Sequence, residues 1–161
     1  MRFARRGRST RARLRALVNR LDEALPEDWT AEELFAAVER FRGRRIVRLP
    51  LPPGAPSGLC GMWLACGDYD VFFLRDSPDP HDVLHELGHM LLGHGLDAPA
   101  DELAAWLPDL GLNHTVEAVR AIRRTSSYDP PEEYEAELFA TMVRTLIRAD
   151  GPRRDRFLKV F

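Results

Sequence analysis

Residues 79–95 read DPHDVLHELGHMLLGHG and combine helix boundary signals with a metal-binding pattern. Asp79 is a favourable N-cap residue, and Pro80 suits the first position of a helix because its missing N–H needs no partner there. Gly93 and Gly95 favour the end of the helix. The segment therefore predicts a helix that begins at Pro80 and ends at one of these two glycines.

This helix contains an HExxH motif formed by His85, Glu86 and His89. Two histidines four residues apart share a helix face, so both rings can reach one ion at about 2.0–2.1 Å. Glu86 is rotated about 100° from His85, which disfavours it as a third ligand but leaves its carboxylate beside the ion. Zinc lowers the pKa of a bound water, and Glu86 could then accept its proton. The alternative is an ordinary amphipathic helix with two core or surface histidines.

A catalytic zinc needs a third protein ligand and an open fourth position. The downstream candidates are His114, Glu133, Glu135 and Glu137. On the helix predicted to begin at Pro130, Glu133 and Glu137 share a face, whereas Glu135 is rotated about 200° from Glu133. This spacing favours Glu133 as the ligand and Glu137 as the acceptor that orients a ligand histidine. Alternatively, these acids only interact with the N-terminal dipole of their helix.

The rest of the chain predicts an α+β fold. A helix capped by Ser9 or Thr10 should end at Pro26, and a capping box at Thr30 begins a second helix that ends at Gly43. Next come a strand over residues 45–51 and a β-hairpin over residues 59–74, followed after the HExxH helix by lesser helices over residues 100–107 and 115–124. We expect helices packed around a small, about three-stranded antiparallel sheet, with the edge of the hairpin available to pair with an extended peptide.

Composition and charge indicate a single globular domain and do not favour DNA binding as the main function. The chain has 161 residues, of which 45% are hydrophobic and 30% charged, as in a single globular domain. The formal net charge is −2, yet residues 1–20 contain eight arginines and no acid. We expect a flexible basic tail over residues 1–8 and one domain over residues 9–161. DNA binding is not favoured as the main function, because Phe3 is the only aromatic residue among these arginines.

Neither a membrane span nor a disulfide is predicted. No apolar run approaches the roughly 20 residues of a membrane helix, and arginines interrupt the N-terminal segment where a signal peptide would need an apolar core. Cys60 and Cys66 would lie roughly 20 Å apart along an extended strand, too far for a disulfide. We therefore expect a reduced protein of the cytoplasm.

The order of these features resembles the ImmA/IrrE family of zinc metallopeptidases over about residues 10–148. That family has a gluzincin-like HExxH motif and a later glutamate in an ExxA[ND]xFA-type motif. In residues 133–140, EYEAELFA, Glu133 occupies the position of the glutamate ligand, and the residues in register are Ala136, Phe139 and Ala140. Glu137 departs from the usual Asp or Asn.

The resemblance implies a zincin-like active-site helix and Zn²⁺ held by His85, His89 and Glu133, with Glu86 as the catalytic base. It also implies a protein substrate, often a helix-turn-helix repressor of the XRE type in a stress or mobile-element switch. His114 and Tyr128 are candidates for the donor that stabilises an oxyanion, with a structural or solvated role as the commoner alternative.

Two other histidines are not counted as ligands. His94 lies five residues after His89, about 140° off its face, and is predicted to interact with the C-terminal dipole of the helix. His81 lies in the first turn of the helix and is expected to be exposed.

Two functions remain as hypotheses. The first is a zinc-dependent endopeptidase that acts on an intracellular protein. The second is a regulatory or toxin-like protein with a structural or vestigial zinc site, in which the arginine-rich tail contacts DNA or an acidic partner. The fourth coordination position distinguishes them, because an open position favours the enzyme and closure by His114 or Glu137 favours a structural site.

Overall fold

The computed structural model describes residues 2–51, 61–75, 79–94, 121–124 and 130–146. Its elements, in chain order, are α1 (Arg2–Glu23), α2 (Ala31–Arg42), β1 (Arg45–Pro50), β2 (Gly61–Ala65), β3 (Tyr69–Leu74), α3 (Pro80–Leu92), β4 (Ala121–Arg124) and α4 (Pro130–Leu146). Helices combined with a small sheet confirm the predicted α+β class. None of the helices in these ranges has both the length and the apolar composition needed to cross a membrane.

The first helix is longer than predicted. It begins at Arg2, so the predicted N-cap residues Ser9 and Thr10 lie inside α1. Further along, its apolar residues recur every three or four positions and pack into the core, as expected for an amphipathic helix. The fully buried members of this stripe are Leu14, Val18 and Leu21.

The boundaries of α2 follow the predicted capping chemistry. The Thr30 hydroxyl accepts a hydrogen bond from the backbone N–H of Glu33, and the Glu33 carboxylate accepts one from the backbone N–H of Thr30. Gly43 ends the helix at φ 65°, a left-handed conformation that costs glycine little because it has no Cβ. The predicted capping box and C-terminal glycine are both confirmed.

The sheet has the strand order β1-β3-β2-β4 in the described residues. The β2–β3 hairpin is antiparallel, as predicted, and places Trp63 opposite Phe72. However, β1 pairs with β3 in parallel, with Val47 opposite Val71, so the sheet is mixed rather than antiparallel. Residues 51–60 connect β1 to β2 and are too many for a tight hairpin turn, which is why β3 can lie between these two strands.

Strand β4 changes two further expectations. Ala121–Arg124 pairs antiparallel with β2, although residues 115–124 were expected to be helical. Pairing with a free sheet edge satisfies backbone groups and can override local helix propensity. Because β2 and β3 are both interior strands, the predicted exposed hairpin edge is wrong, and the edges of the described sheet are β1 and β4. The helix predicted over residues 100–107 lies outside the described residues.

Both faces of the β2–β3 hairpin are buried. One face points Trp63 and Phe72 into the core formed with the helices. The opposite face forms a second apolar cluster that includes Met62, Leu64 and Phe73. Burial on both faces accounts for the nearly continuous apolar sequence of these two strands.

A buried ion-pair cluster joins the sheet to α2 and α3. Asp70 on β3 is fully buried, and its carboxylate accepts hydrogen bonds from the Nε of Arg42 at 2.8 Å and the Nε of Arg44 at 3.1 Å. Arg42 also donates to the backbone carbonyl of Met90 on α3 at 2.6 Å. The Asp70 carboxylate therefore balances two guanidinium groups at the point where three elements meet.

We expect Asp70→Asn to lower the free energy of unfolding by about 3 kcal/mol, because removal of one partner leaves buried charge uncompensated. Urea denaturation would measure the loss. The matched control is Glu32→Gln, since Glu32 pairs with Arg48 at the surface and an exposed pair contributes less than about 1 kcal/mol. Equal losses in the two variants would contradict the proposed importance of the buried cluster.

Candidate metal centre

The HExxH motif lies on a helix with well-defined ends. The Asp79 side chain accepts a hydrogen bond from the backbone N–H of His81 at 2.9 Å, and Pro80 occupies the first turn. The helix ends at Leu92, and Gly93 follows in the left-handed conformation with φ 72°. The predicted boundaries of this helix are therefore confirmed.

Helix α4 crosses α3 at very short range. A Cβ added to Gly88 would lie 3.0 Å from Cδ1 of Phe139 and 3.1 Å from Cα of Ala136, closer than side chains normally pack. Ala136 and Ala140 are both completely buried. Because small residues line the contact, the first turns of α4 lie over the HExxH residues.

This crossing brings His85, His89 and Glu133 together, and we call these three residues the central donor set. The Nε2 atoms of His85 and His89 are 3.0 Å apart. Glu133 Oε2 lies 3.4 Å from His85 Nε2, and Glu133 Oε1 lies 3.7 Å from His89 Nε2. Ligand atoms at about 2.0–2.1 Å from a tetrahedral zinc are roughly 3.3 Å apart. The central donor set could therefore hold a metal ion.

Burial supports a cation at this position. Glu133 Oε1 is buried and accepts no hydrogen bond in the described structure, and His89 is fully buried. Burial raises the pKa of the Glu133 carboxyl, and the neighbouring His85 opposes this rise. A buried carboxylate oxygen that accepts no hydrogen bond is unfavourable, and a cation between it and the two imidazoles would compensate its charge. The residues present therefore fit a metal ion.

Glu137 contacts His85 from the other side of its ring. The distance from Glu137 Oε2 to His85 Nδ1 is 3.4 Å, and the distance to His81 Nε2 is 2.9 Å. The hydrogen bond with His81 is the main cause that lowers the pKa of the Glu137 carboxyl. Glu137 thus contacts the ring nitrogen that faces away from the central donor set, which suits the predicted orienting role.

His81, which was expected to be exposed, is mostly buried and contacts Glu137. Only 20% of its side chain is exposed, and it forms with His85 and Glu137 a second group that could hold a metal ion, here called the outer donor set. The signal in the sequence was the i, i+4 spacing of His81 and His85, the same spacing that identified His85 and His89.

His94 also contacts a residue of the central donor set. Its Nδ1 lies 3.0 Å from Nδ1 of His89, and its Nε2 lies 3.5 Å from Oε2 of Glu135. Burial lowers the pKa of the His94 ring. The prediction of a dipole partner missed this contact, because Gly93 reverses the backbone and the 100° helical rotation no longer applies at residue 94. Glu135 does not join the central donor set.

Glu86 is completely buried and lies against strand β2. A Cβ added to Gly61, the first residue of β2, would lie only 2.6 Å from Cγ of Glu86. The absence of a side chain at residue 61 therefore provides the space that the Glu86 side chain occupies. His114 and Tyr128, the oxyanion candidates, lie outside the described residues.

We expect the purified chain to bind one equivalent of Zn²⁺, and we expect His89→Ala and Glu133→Ala to abolish tight binding because each removes a ligand. His81→Ala is the matched control, since His81 belongs only to the outer donor set. Calorimetric titration with zinc after chelator treatment would measure stoichiometry and affinity. Loss of binding in His81→Ala with retention in His89→Ala would assign the ion to the outer donor set instead.

Comparison with known proteins gives no match among protein-family profiles, curated proteins or solved structures.

Proposed function

We propose that this protein is a zinc-dependent endopeptidase. The observation that carries the proposal is the convergence of His85, His89 and Glu133, two neighbouring imidazoles from one helix and a carboxylate from another, on one point. Two nitrogens and one carboxylate oxygen are a donor set that zinc accepts in catalytic sites, where a fourth position stays available. When bound, zinc would polarise a substrate carbonyl and make a water molecule more acidic.

Glu86 is the proposed general base. It directly follows His85 on α3, and its burial beside Gly61 removes its carboxylate from bulk water. In the proposed reaction, the oxygen of water forms a bond to the peptide carbonyl carbon, and the C–N bond breaks. Glu86 accepts a proton from the water and transfers it to the leaving amine nitrogen, so the carboxylate is regenerated.

The contacts of Glu137 favour the enzyme over a structural zinc protein. A closed zinc site would need a fourth protein ligand beside the central donor set. Glu137, a candidate for that role, contacts Nδ1 of His85, whereas Nε2 of His85 faces His89. This supports an orienting role for Glu137 and, among the described residues, counts against Glu137 as a fourth zinc ligand. The alternative, a partner-binding regulator with a structural site, is the weaker proposal.

The proposed substrate is a peptide segment of a cytoplasmic protein. The resemblance to the ImmA/IrrE family suggests a repressor of the XRE type as the substrate class. Recognition of such a protein would add a regulatory role to the hydrolytic one.

We expect Glu86→Gln to retain zinc and to lose at least about 100-fold in cleavage rate, because glutamine cannot accept the proton. A peptide library prepared from a bacterial proteome, incubated with either form, would reveal new termini by mass spectrometry. Chelation followed by zinc addition should remove and restore activity in the wild-type chain. Undiminished cleavage by Glu86→Gln would exclude the proposed base, and no zinc-dependent cleavage by wild type would count against the endopeptidase.

We expect Gly61→Ala to reduce cleavage while zinc binding is retained, because the added methyl group displaces the Glu86 side chain without touching a ligand. Gly67→Ala is the matched control, since a Cβ at residue 67 meets nothing within 4 Å. Zinc titration and the peptide-library assay would be run on both variants. Equal activity in the two would show that the space at residue 61 does not position the base.

A further inference from the structure

A continuous chain of side chains leads from His89 to the N-terminal helix. His94 Nδ1 lies 3.0 Å from His89 Nδ1, and His94 Nε2 lies 3.5 Å from Glu135 Oε2. Glu135 in turn accepts a hydrogen bond from the Thr10 hydroxyl at 3.2 Å and one from the Arg13 guanidinium. The chain therefore connects α3, the residue after its C-cap, α4 and α1.

The protons along this chain have one consistent assignment when His89 uses Nε2 as a ligand. The proton of the His89 ring is then on Nδ1 and is donated to Nδ1 of His94. His94 consequently carries its own proton on Nε2, the nitrogen that faces Glu135. Glu135 remains an acceptor only, which matches the two donors that reach it from α1.

The burial of His89 and His94 favours this proton assignment, because water cannot easily replace either ring as a hydrogen-bond partner. His89 is fully buried and His94 is 7% exposed, so bulk water is a poor substitute for either partner. The side chain of Glu135 is 20% exposed, and that of Arg13 is 61% exposed. The chain thus runs from the interior to the surface and ends in an exposed guanidinium.

We propose that His94 and Glu135 are positioning residues that fix the ring orientation and the tautomer of His89, with Arg13 of α1 as their anchor. This inference rests on the proposed metal centre. A histidine ligand whose second nitrogen is hydrogen-bonded is held in one orientation, and loss of such a partner typically lowers metal affinity about 10–100-fold. The N-terminal helix is on this account part of the metal site.

The first test compares His94→Phe with His94→Gln in the full chain. Phenylalanine removes the acceptor for His89, whereas the carbonyl oxygen of glutamine can still accept a hydrogen bond. We expect His94→Phe to bind Zn²⁺ about 10–100-fold more weakly in competition with a fluorescent chelator, and His94→Gln to recover part of this loss. The visible absorption spectrum of the Co²⁺ form should change in His94→Phe, because the orientation of one ligand changes.

The second test follows the chain to α1. Glu135→Gln and Arg13→Ala should each weaken zinc binding several-fold. Arg15→Ala is the matched control, because it removes the same charge from α1 at a position rotated about 200° from Arg13. Thermal unfolding of the metal-free variants would separate a change at the site from general destabilisation, and Glu135→Gln would decide the question if His94→Phe does not fold.

The outcomes distinguish the two proposals. A wild-type chain that binds neither Zn²⁺ nor Co²⁺ would overturn the metal centre and with it this inference. A wild-type chain that binds zinc, together with wild-type affinity and an unchanged Co²⁺ spectrum in His94→Phe and Glu135→Gln, would overturn the positioning role alone. Weaker binding in Arg15→Ala equal to that in Arg13→Ala would also overturn it, because the effect would then reflect total charge.

Discussion

The close crossing of α3 and α4 is the constraint on which the candidate metal centre depends. Gly88 lies between the two histidines of the motif, and the space above it is filled by Ala136 and Phe139 of α4. A larger residue at 88 would separate the helices and withdraw Glu133 from the imidazoles. Packing and chemistry are therefore linked, since the apolar residues that bury α4 also bring its carboxylate to the histidines.

Each histidine of the central donor set is held through both ring nitrogens. His85 contacts Glu137 through Nδ1, and His89 contacts His94 through Nδ1, so that both Nε2 atoms face Glu133. A ring with both nitrogens engaged has little freedom to rotate, and the entropy lost on ordering it is spent during folding rather than when a ligand arrives. Such preorganisation is what a precise coordination site needs.

Local rules in the sequence predicted α2, α3 and the shared helix face of His85 and His89. The N-caps at Thr30 and Asp79 and the terminating glycines involve only neighbouring residues, and the i, i+4 pairs depend on helix geometry alone. The parallel pairing of β1, the strand over Ala121–Arg124 and the contact of His94 could not be predicted in the same way. Each depends on which distant segment fills a space, or on a backbone reversal that ends the helical periodicity.

The central position of β3 has a consequence for the order of folding. Its antiparallel partner β2 is separated from it by a short turn, whereas its parallel partner β1 lies much earlier in the chain, as the pairs Ala65–Asp70 and Val47–Val71 illustrate. Closing the longer loop loses more chain entropy. We therefore expect the hairpin to form first and to serve as a template, so that β1 and the preceding helices dock only after β3 has been built.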